Sequence, residues 1–191
     1  MARLGIEAAK GDAGGVLERL RAGDQVDFAD GNDKRTALHE ASCFGHVEVI
    51  RLLLSKGAAV NKQSATGYSA LHLASWNGQE EAVSVLLRAG SDVQAQTASG
   101  NTALHFAARF NHVEVADLLL SALPPGSINV QNADEEAPLH LSAKLGQAGL
   151  QLAMRLLECG ADPGVGDGRG RTPADAAGSG GMRDLISAHA T

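Results

Sequence analysis

Imidazole is the side chain most often used to hold a transition metal or to move a proton near neutral pH, and His39, His72, His105 and His140 stand in closely similar surroundings. Their separation argues against both uses. Zinc motifs place ligands a few residues apart on one helix or loop, whereas these histidines are spread along the chain at a near-constant interval. His39-Glu40 is followed by Ala41-Ser42-Cys43, so no HExxH helix exists there, and no CxxC pair is present. Asp30-Gly31-Asn32-Asp33 begins like a calcium loop, but Lys34 occupies the fifth ligand position and Ala41 the twelfth, where a chelating Glu is needed. Gly164-Val165-Gly166-Asp167-Gly168 lacks the GK[ST] of a phosphate loop and reads as a hairpin tip. Gly67-Tyr68-Ser69 starts like a nucleophile elbow and fails at Leu71. No catalytic, metal or cofactor constellation survives, so the expectation is a non-catalytic protein without cofactors.

What the histidines do mark is a repeat. Thr36-Ala37-Leu38-His39 returns as Ser69-Ala70-Leu71-His72, Thr102-Ala103-Leu104-His105, Ala137-Pro138-Leu139-His140 and, degraded, Thr172-Pro173-Ala174-Asp175, at steps of 33, 33, 35 and 35 residues. A fixed period in this range is the mark of stacked supersecondary units. Each unit continues with small residues, a turn, an apolar helical pattern and a second glycine turn, as in Thr36 to Asn61 and Ser69 to Gln94. The chain resembles the ankyrin repeat family, whose period and T-P-L-H-x-A signature it follows over practically its whole length. The resemblance implies an all-α solenoid of stacked helix-turn-helix units joined by β-hairpin-like loops. The expected single domain, 1–191, has an N-terminal capping repeat at 1–29, internal repeats at 36–68, 69–101, 102–136 and 137–171, and a C-terminal cap at 172–191. In this family the signature histidine is a structural hydrogen-bonding residue.

The local chemistry is consistent with such units. Thr36, Ser69 and Thr102 precede the first apolar helical residue, where a hydroxyl can accept from a free helix N–H. Gly45, Gly78 and Gly146 stand where the first helix ends in a left-handed residue, and Asn111 is the next-best choice for that place. Val47, Ile50, Leu53 and Leu54 give the second helix one apolar face, which only a neighbouring repeat can cover. Glu7, Lys10, Glu18 and Arg21 suit an exposed end at one cap, and Arg183, Asp184, Ser187 and His189 at the other. Two departures are predicted: Pro124-Pro125-Gly126 stops a helix before a longer turn, and Gly146-Gln147-Ala148-Gly149 lengthens the turn inside repeat five. Glu135 falls where Gly67 and Gly100 stand, which makes its hairpin irregular.

A net charge of -6 and a pI near 5.6 disfavour nucleic acid and anionic membranes as partners, since both are bound through clustered Lys and Arg. No signal-like leader or membrane-length apolar run is seen, which leads to the expectation of a soluble cytoplasmic or nuclear monomer. Cys43 and Cys159 fall three repeats apart. With packed helices spaced by roughly 10 Å, they exceed the ~7 Å limit for a disulfide and are expected to be free.

Resemblance to ankyrin proteins implies a partner protein bound on the concave face, at the hairpin tips and at the two residues before the glycine that closes the first helix. Those places hold Asp33, Arg35, Cys43, Phe44, Thr66, Tyr68, Trp76, Asn77, Ser99, Asn101, Arg109, Phe110, Asp134, Glu136, Lys144 and Leu145. The chain has four Phe, one Tyr and one Trp, and Phe44, Tyr68, Trp76 and Phe110 are on this face. These rings, with Arg35, Asn77, Asn101, Arg109 and Lys144, are the expected protein-binding residues. An alternative is that the rings stiffen an aromatic-poor core, and that Asp134, Glu135 and Glu136 only pair with Arg169 and Arg171. Two roles fit the binding expectation, an adaptor or a regulator of a partner enzyme such as a protein kinase. The resemblance also raises asparagine hydroxylation at Asn61 and Asn129, against the simpler reading of an unmodified turn residue.

Overall fold

The computed structural model describes residues 3–29, 31–178 and 180–190. Among them the fold is all-α, with no strand. Two compact units are formed, one up to Ala98 and one from Ser99. The first unit stacks three antiparallel helix pairs, α1 (Arg3–Lys10) with α2 (Ala13–Arg21), α3 (Ala37–Cys43) with α4 (Val47–Ser55), and α5 (Ala70–Trp76) with α6 (Glu80–Arg88). First helices pack on first helices and second on second. In the second unit the same rule joins α7 (Ala103–Phe110) and α8 (Val113–Ala122), α9 (Pro138–Ala143) and α10 (Leu150–Glu158), and α11 (Pro173–Ala176) and α12 (Gly181–Ala188).

The cores are built from small and branched aliphatic residues, with Leu38, Ile50, Leu53, Leu71 and Leu86 fully buried in the first unit and Leu104, Leu119, Leu139, Leu152 and Leu156 in the second. A helix of seven residues is too short to stand alone in water, so burial between neighbouring pairs supplies what intrinsic propensity cannot. The apolar face of α4 differs slightly from expectation. Val49, Ile50 and Leu53 are its buried residues, while Val47 and Leu54 are only half-buried, because the layer packs the helix by the side that carries Val49. At the two ends the expected polar residues Lys10, Glu18, Arg21, Arg183, Asp184, Ser187 and His189 are exposed, and Glu7 is half-buried beside Lys10 at 3.3 Å.

The repeated histidine explains how each first helix is tied to its loops. In repeat two the Thr36 N–H donates to His39 Nδ1 at 3.1 Å, and the Thr36 hydroxyl lies 2.8 Å from the same nitrogen. The other ring nitrogen, Nε2, lies 2.9 Å from the Tyr68 carbonyl of the next hairpin. A carbonyl only accepts and a backbone N–H only donates, so Nε2 carries the proton, Nδ1 is bare, and the ring is neutral. His72 reaches the Ala95 carbonyl at 2.9 Å, His105 the Glu136 carbonyl and His140 the Arg171 carbonyl, both at 3.0 Å. The hydroxyl sits in a capping box, facing the N3 backbone N–H as expected of an N-cap, and it also meets the imidazole. It donates to imidazole at 2.8 Å in all three caps, and in Ser69 it accepts from His72 N at a long 3.4 Å. Ala137 shows what is essential: without any hydroxyl its N–H still donates to His140 Nδ1 at 3.2 Å. In the degraded last repeat Asp175 takes the histidine's place, accepting from Thr172 N at 3.1 Å and from its hydroxyl at 2.8 Å.

The turns follow the sequence closely. Gly45 (φ 72°), Gly78 (66°), Gly146 (57°) and Asn111 (58°) all close first helices in the left-handed region. The lengthened turn of repeat five winds into a single 3-10 turn, Gly146–Gly149, before α10. Hairpins are held tip to tip by single backbone bonds: Ala65 N to Asp33 O at 2.8 Å and Ala98 N to Thr66 O at 3.0 Å in the first unit, Ala133 N to Ser99 O at 2.9 Å in the second. That close approach requires glycine at Gly67 and Gly100, where a Cβ would sit 2.8 and 2.9 Å from the next backbone nitrogen. Lys34 (φ 50°) and Glu135 (57°) adopt the same left-handed conformation without being glycine, which costs roughly 1 kcal/mol each.

Candidate functional site

Each unit presents a face built from hairpin tips and the C-terminal ends of first helices. On the first unit Phe44 is 54% exposed and Trp76 38%, while Tyr68 is half-buried. The Tyr68 and Trp76 ring centroids are 5.9 Å apart, and Tyr68 meets His72 edge-on at 6.2 Å. Phe44 stacks on His46 at 6.0 Å. His46 was not singled out by the sequence, yet its Nε2 reaches the Ala9 carbonyl at 2.9 Å and ties the second layer to the first. Asn77 is exposed but committed, with its amide donating to Leu73 O at 2.9 Å and to Cys43 Sγ at 3.4 Å. Both cysteines are free thiols, and burial pushes the Cys43 thiol up, Arg35 acting against it. Arg35 stands 3.8 Å from Asp33 and 4.0 Å from Glu40, whose carboxyl is raised above its usual value chiefly by burial.

On the second unit the face deepens into a groove of about 970 Å³. It is lined by Arg109 and Phe110, by Leu141, Lys144 and Leu145, and by residues of the Asp134–Glu136 and Asp167–Arg171 hairpin tips. Phe110 is 40% exposed. Asn101 accepts from the Asn132 amide at 2.9 Å, and Asn132 in turn accepts from Asp134 N and Glu136 N, both at 3.0 Å. These bonds place Asn101 in the scaffold of its hairpin. The alternative pairing of Asp134, Glu135 and Glu136 with Arg169 and Arg171 is not formed among these residues. Glu136, almost fully buried, pairs with Lys144, and Arg171 turns back on Asp167 of its own hairpin at 2.7 Å. Asp167 also accepts from the N–H groups of Arg169 and Arg171, so its carboxyl is held far below the usual range, the Arg171 side chain being the largest cause. Hairpin closure thus consumes Asp167, which cannot reach outward. Among the described residues the side chains of Arg109, Arg169, Asp134 and Glu135 make no hydrogen bond or ion pair.

Of the large apolar side chains that are exposed among the described residues, Phe28, Phe44, Trp76, Phe110 and Met154, three are rings on these two faces. Phe106, one residue past the signature histidine, is buried instead and belongs to the core. No group of three or more His, Cys, Asp or Glu converges as a metal site would require among the described residues, and none of their helices is long and apolar enough to cross a membrane.

Comparison with known proteins agrees with this architecture. Residues 5–97 match the family profile "Ankyrin repeats (3 copies)" and residues 80–120 the profile "Ankyrin repeats (many copies)". A stretch of 50 residues is 50% identical to the ankyrin repeat and KH domain-containing protein mask-1 of Caenorhabditis elegans, covering 26% of this chain and 2% of that protein. The chain therefore spans a small part of that relative's length. With the period, the histidine ties, the left-handed turns and the profile matches in agreement, the chain belongs to the ankyrin repeat family.

Proposed function

We propose that this chain is a non-catalytic protein-interaction module, acting as a single repeat domain and a monomer in the cytoplasm or nucleus, with protein rather than nucleic acid or membrane as its partner. Ankyrin repeats are generally protein–protein interaction modules. The observation that carries the reading is the exposure of Phe44, Trp76 and Phe110 in a protein with only 3% aromatic residues. Exposed rings cost free energy in water and reward a partner that covers them, because they bury much area with few rotatable bonds. Arg109, with no ion pair, adds a second residue type common in binding hot spots. Arg35, Tyr68, Asn77, Asn101 and Lys144 complete the proposed contact residues, several of them already bonded within the fold and so rigid before binding.

An adaptor and a regulator of a partner enzyme, such as a kinase inhibitor, use the same faces and differ only in what is bound. Capture of partners from source-cell extract, identification by mass spectrometry and calorimetry on the purified pair separate them. Trp76→Ala is expected to weaken that complex by about 2 kcal/mol or more with the melting temperature nearly unchanged. Tyr68→Ala should lower both, since the ring also packs on His72. A melting temperature that falls with affinity intact in Trp76→Ala would place that ring in the core and refute the reading.

A further inference from the structure

The register of the repeats singles out Glu40. Its counterparts one, two and three repeats on are Leu73, Phe106 and Leu141, all buried, and Leu141 lines the groove of the second unit. At this place in the first unit stands a carboxylate that is only 5% exposed. Its charged neighbours are on the hairpin side: Arg35 at 4.0 Å, and Asp33, itself 3.8 Å from Arg35. Among the described residues Arg35 is the cation within ion-pair reach of Glu40, and it makes no hydrogen bond to it. One guanidinium at 4.0 Å, without a hydrogen bond and shared with the solvent-exposed Asp33, leaves the buried Glu40 charge only weakly compensated. Burial makes that charge costly, and the raised carboxyl of Glu40 reflects the same deficit. Phe44 and Cys43 stand one turn on from Glu40 on the same helix, and Trp76 and Tyr68 belong to the adjacent repeat. Ring faces carry negative quadrupole potential, so they favour the same sign of ligand as the carboxylate does.

Resting on the proposed binding function, we infer that the first unit's face takes a partner segment that carries a Lys or Arg side chain, the cation meeting Glu40 and its alkyl stem lying on the rings of Phe44 and Trp76. An acidic segment drawn to Arg35 is the opposing outcome. In ankyrin repeats Leu or Phe suits this place structurally, as the three counterparts show, so Glu40→Leu removes the charge while keeping the fold.

Binding of fluorescein-labelled dodecapeptides of Gly, Ser and Leu, bearing four Lys/Arg, four Glu or no charge, to the full chain tests this by anisotropy. The basic peptide is expected to bind about tenfold tighter than the acidic one, and Glu40→Leu to cut its affinity about fivefold without lowering the melting temperature or changing the neutral peptide. Arg35→Gln, which removes the competing cation, should strengthen the basic peptide, whereas an acidic occupant requires it to weaken the acidic one. Equal or tighter binding of the acidic or neutral peptide, no binding at all, or a preference unchanged in Glu40→Leu overturns the assignment. Loss of natural-partner binding in Trp76→Ala but not in Glu40→Leu leaves the interaction module standing and removes only the cationic ligand; no loss in either removes both.

Discussion

His39→Ala removes the Thr36 N–H···Nδ1 bond, the hydroxyl contact at 2.8 Å and the cross-layer bond to Tyr68 O at 2.9 Å. Tyr68 O keeps a second partner, since Ser64 N also donates to it at 2.8 Å. The buried Thr36 N–H has none, and an orphaned buried donor costs about 1–3 kcal/mol. The lost cross-layer bond adds about 1 kcal/mol and the space left by the ring a similar amount. A total of about 3–5 kcal/mol is expected. Thr36→Ala reproduces the arrangement at Ala137, where the histidine still accepts the cap N–H, and is expected to cost only about 1 kcal/mol. Urea unfolding followed by far-ultraviolet circular dichroism and by Trp76 fluorescence measures both. Equal costs for the two variants, or less than about 1 kcal/mol for His39→Ala, would refute the assignment of the imidazole as the essential cap.

Acid adds an independent check on the same residue. Burial, the largest influence, holds folded His39 below its usual 6.5, so the unfolded chain takes up this proton first. The stability that the neutral ring provides is present above pH 6.5 and is lost as pH falls from 6.5 to the lower folded value. The stability gap between the native protein and His39→Ala should therefore narrow below pH 6.5. A gap that is constant or that widens on acidification would mean that the folded ring is charged.

Two further outcomes test the turns and the end of the stack. Glu135→Gly should be neutral or stabilising by up to about 1 kcal/mol, because it relieves a left-handed residue at φ 57°, whereas Gly100→Ala should destabilise by more than about 1 kcal/mol, its Cβ meeting the Ala133 nitrogen at 2.9 Å; the same sign in both, by denaturant midpoint, would contradict the hairpin geometry. Deleting the chain from Thr172 removes Pro173, Met182 and Ile186, buried in the helices packed on α9 and α10. Aggregation is expected in light scattering while helical signal from the earlier repeats persists, and a truncated protein as soluble and as stable as the parent would show that α11 and α12 are not a cap.

The 33- to 35-residue period by itself determined the helix pairs, their starts at Thr36, Ser69, Thr102, Ala137 and Thr172, and the turns at Gly45, Gly78, Asn111 and Gly146. Such features are written locally: a cap needs residues three apart, and a left-handed turn needs one residue without a costly Cβ. Even Glu135 was legible as the irregular hairpin from its place alone. What the stacking of layers decided was the choice of partners. Nothing near His39 in the chain indicates Tyr68 O, 29 residues on, and nothing near Glu136 makes Lys144 a better match than Arg169 or Arg171. Exposed rings and buried carboxylates are likewise properties of packing: Phe44 and Phe106 are the same residue type, yet Phe44 at the C-terminal end of its helix is solvent-facing and Phe106 inside its helix is core. Glu40 carries the same lesson for function, its charge being unremarkable in the sequence and consequential only where the fold buries it among positions otherwise held by Leu and Phe.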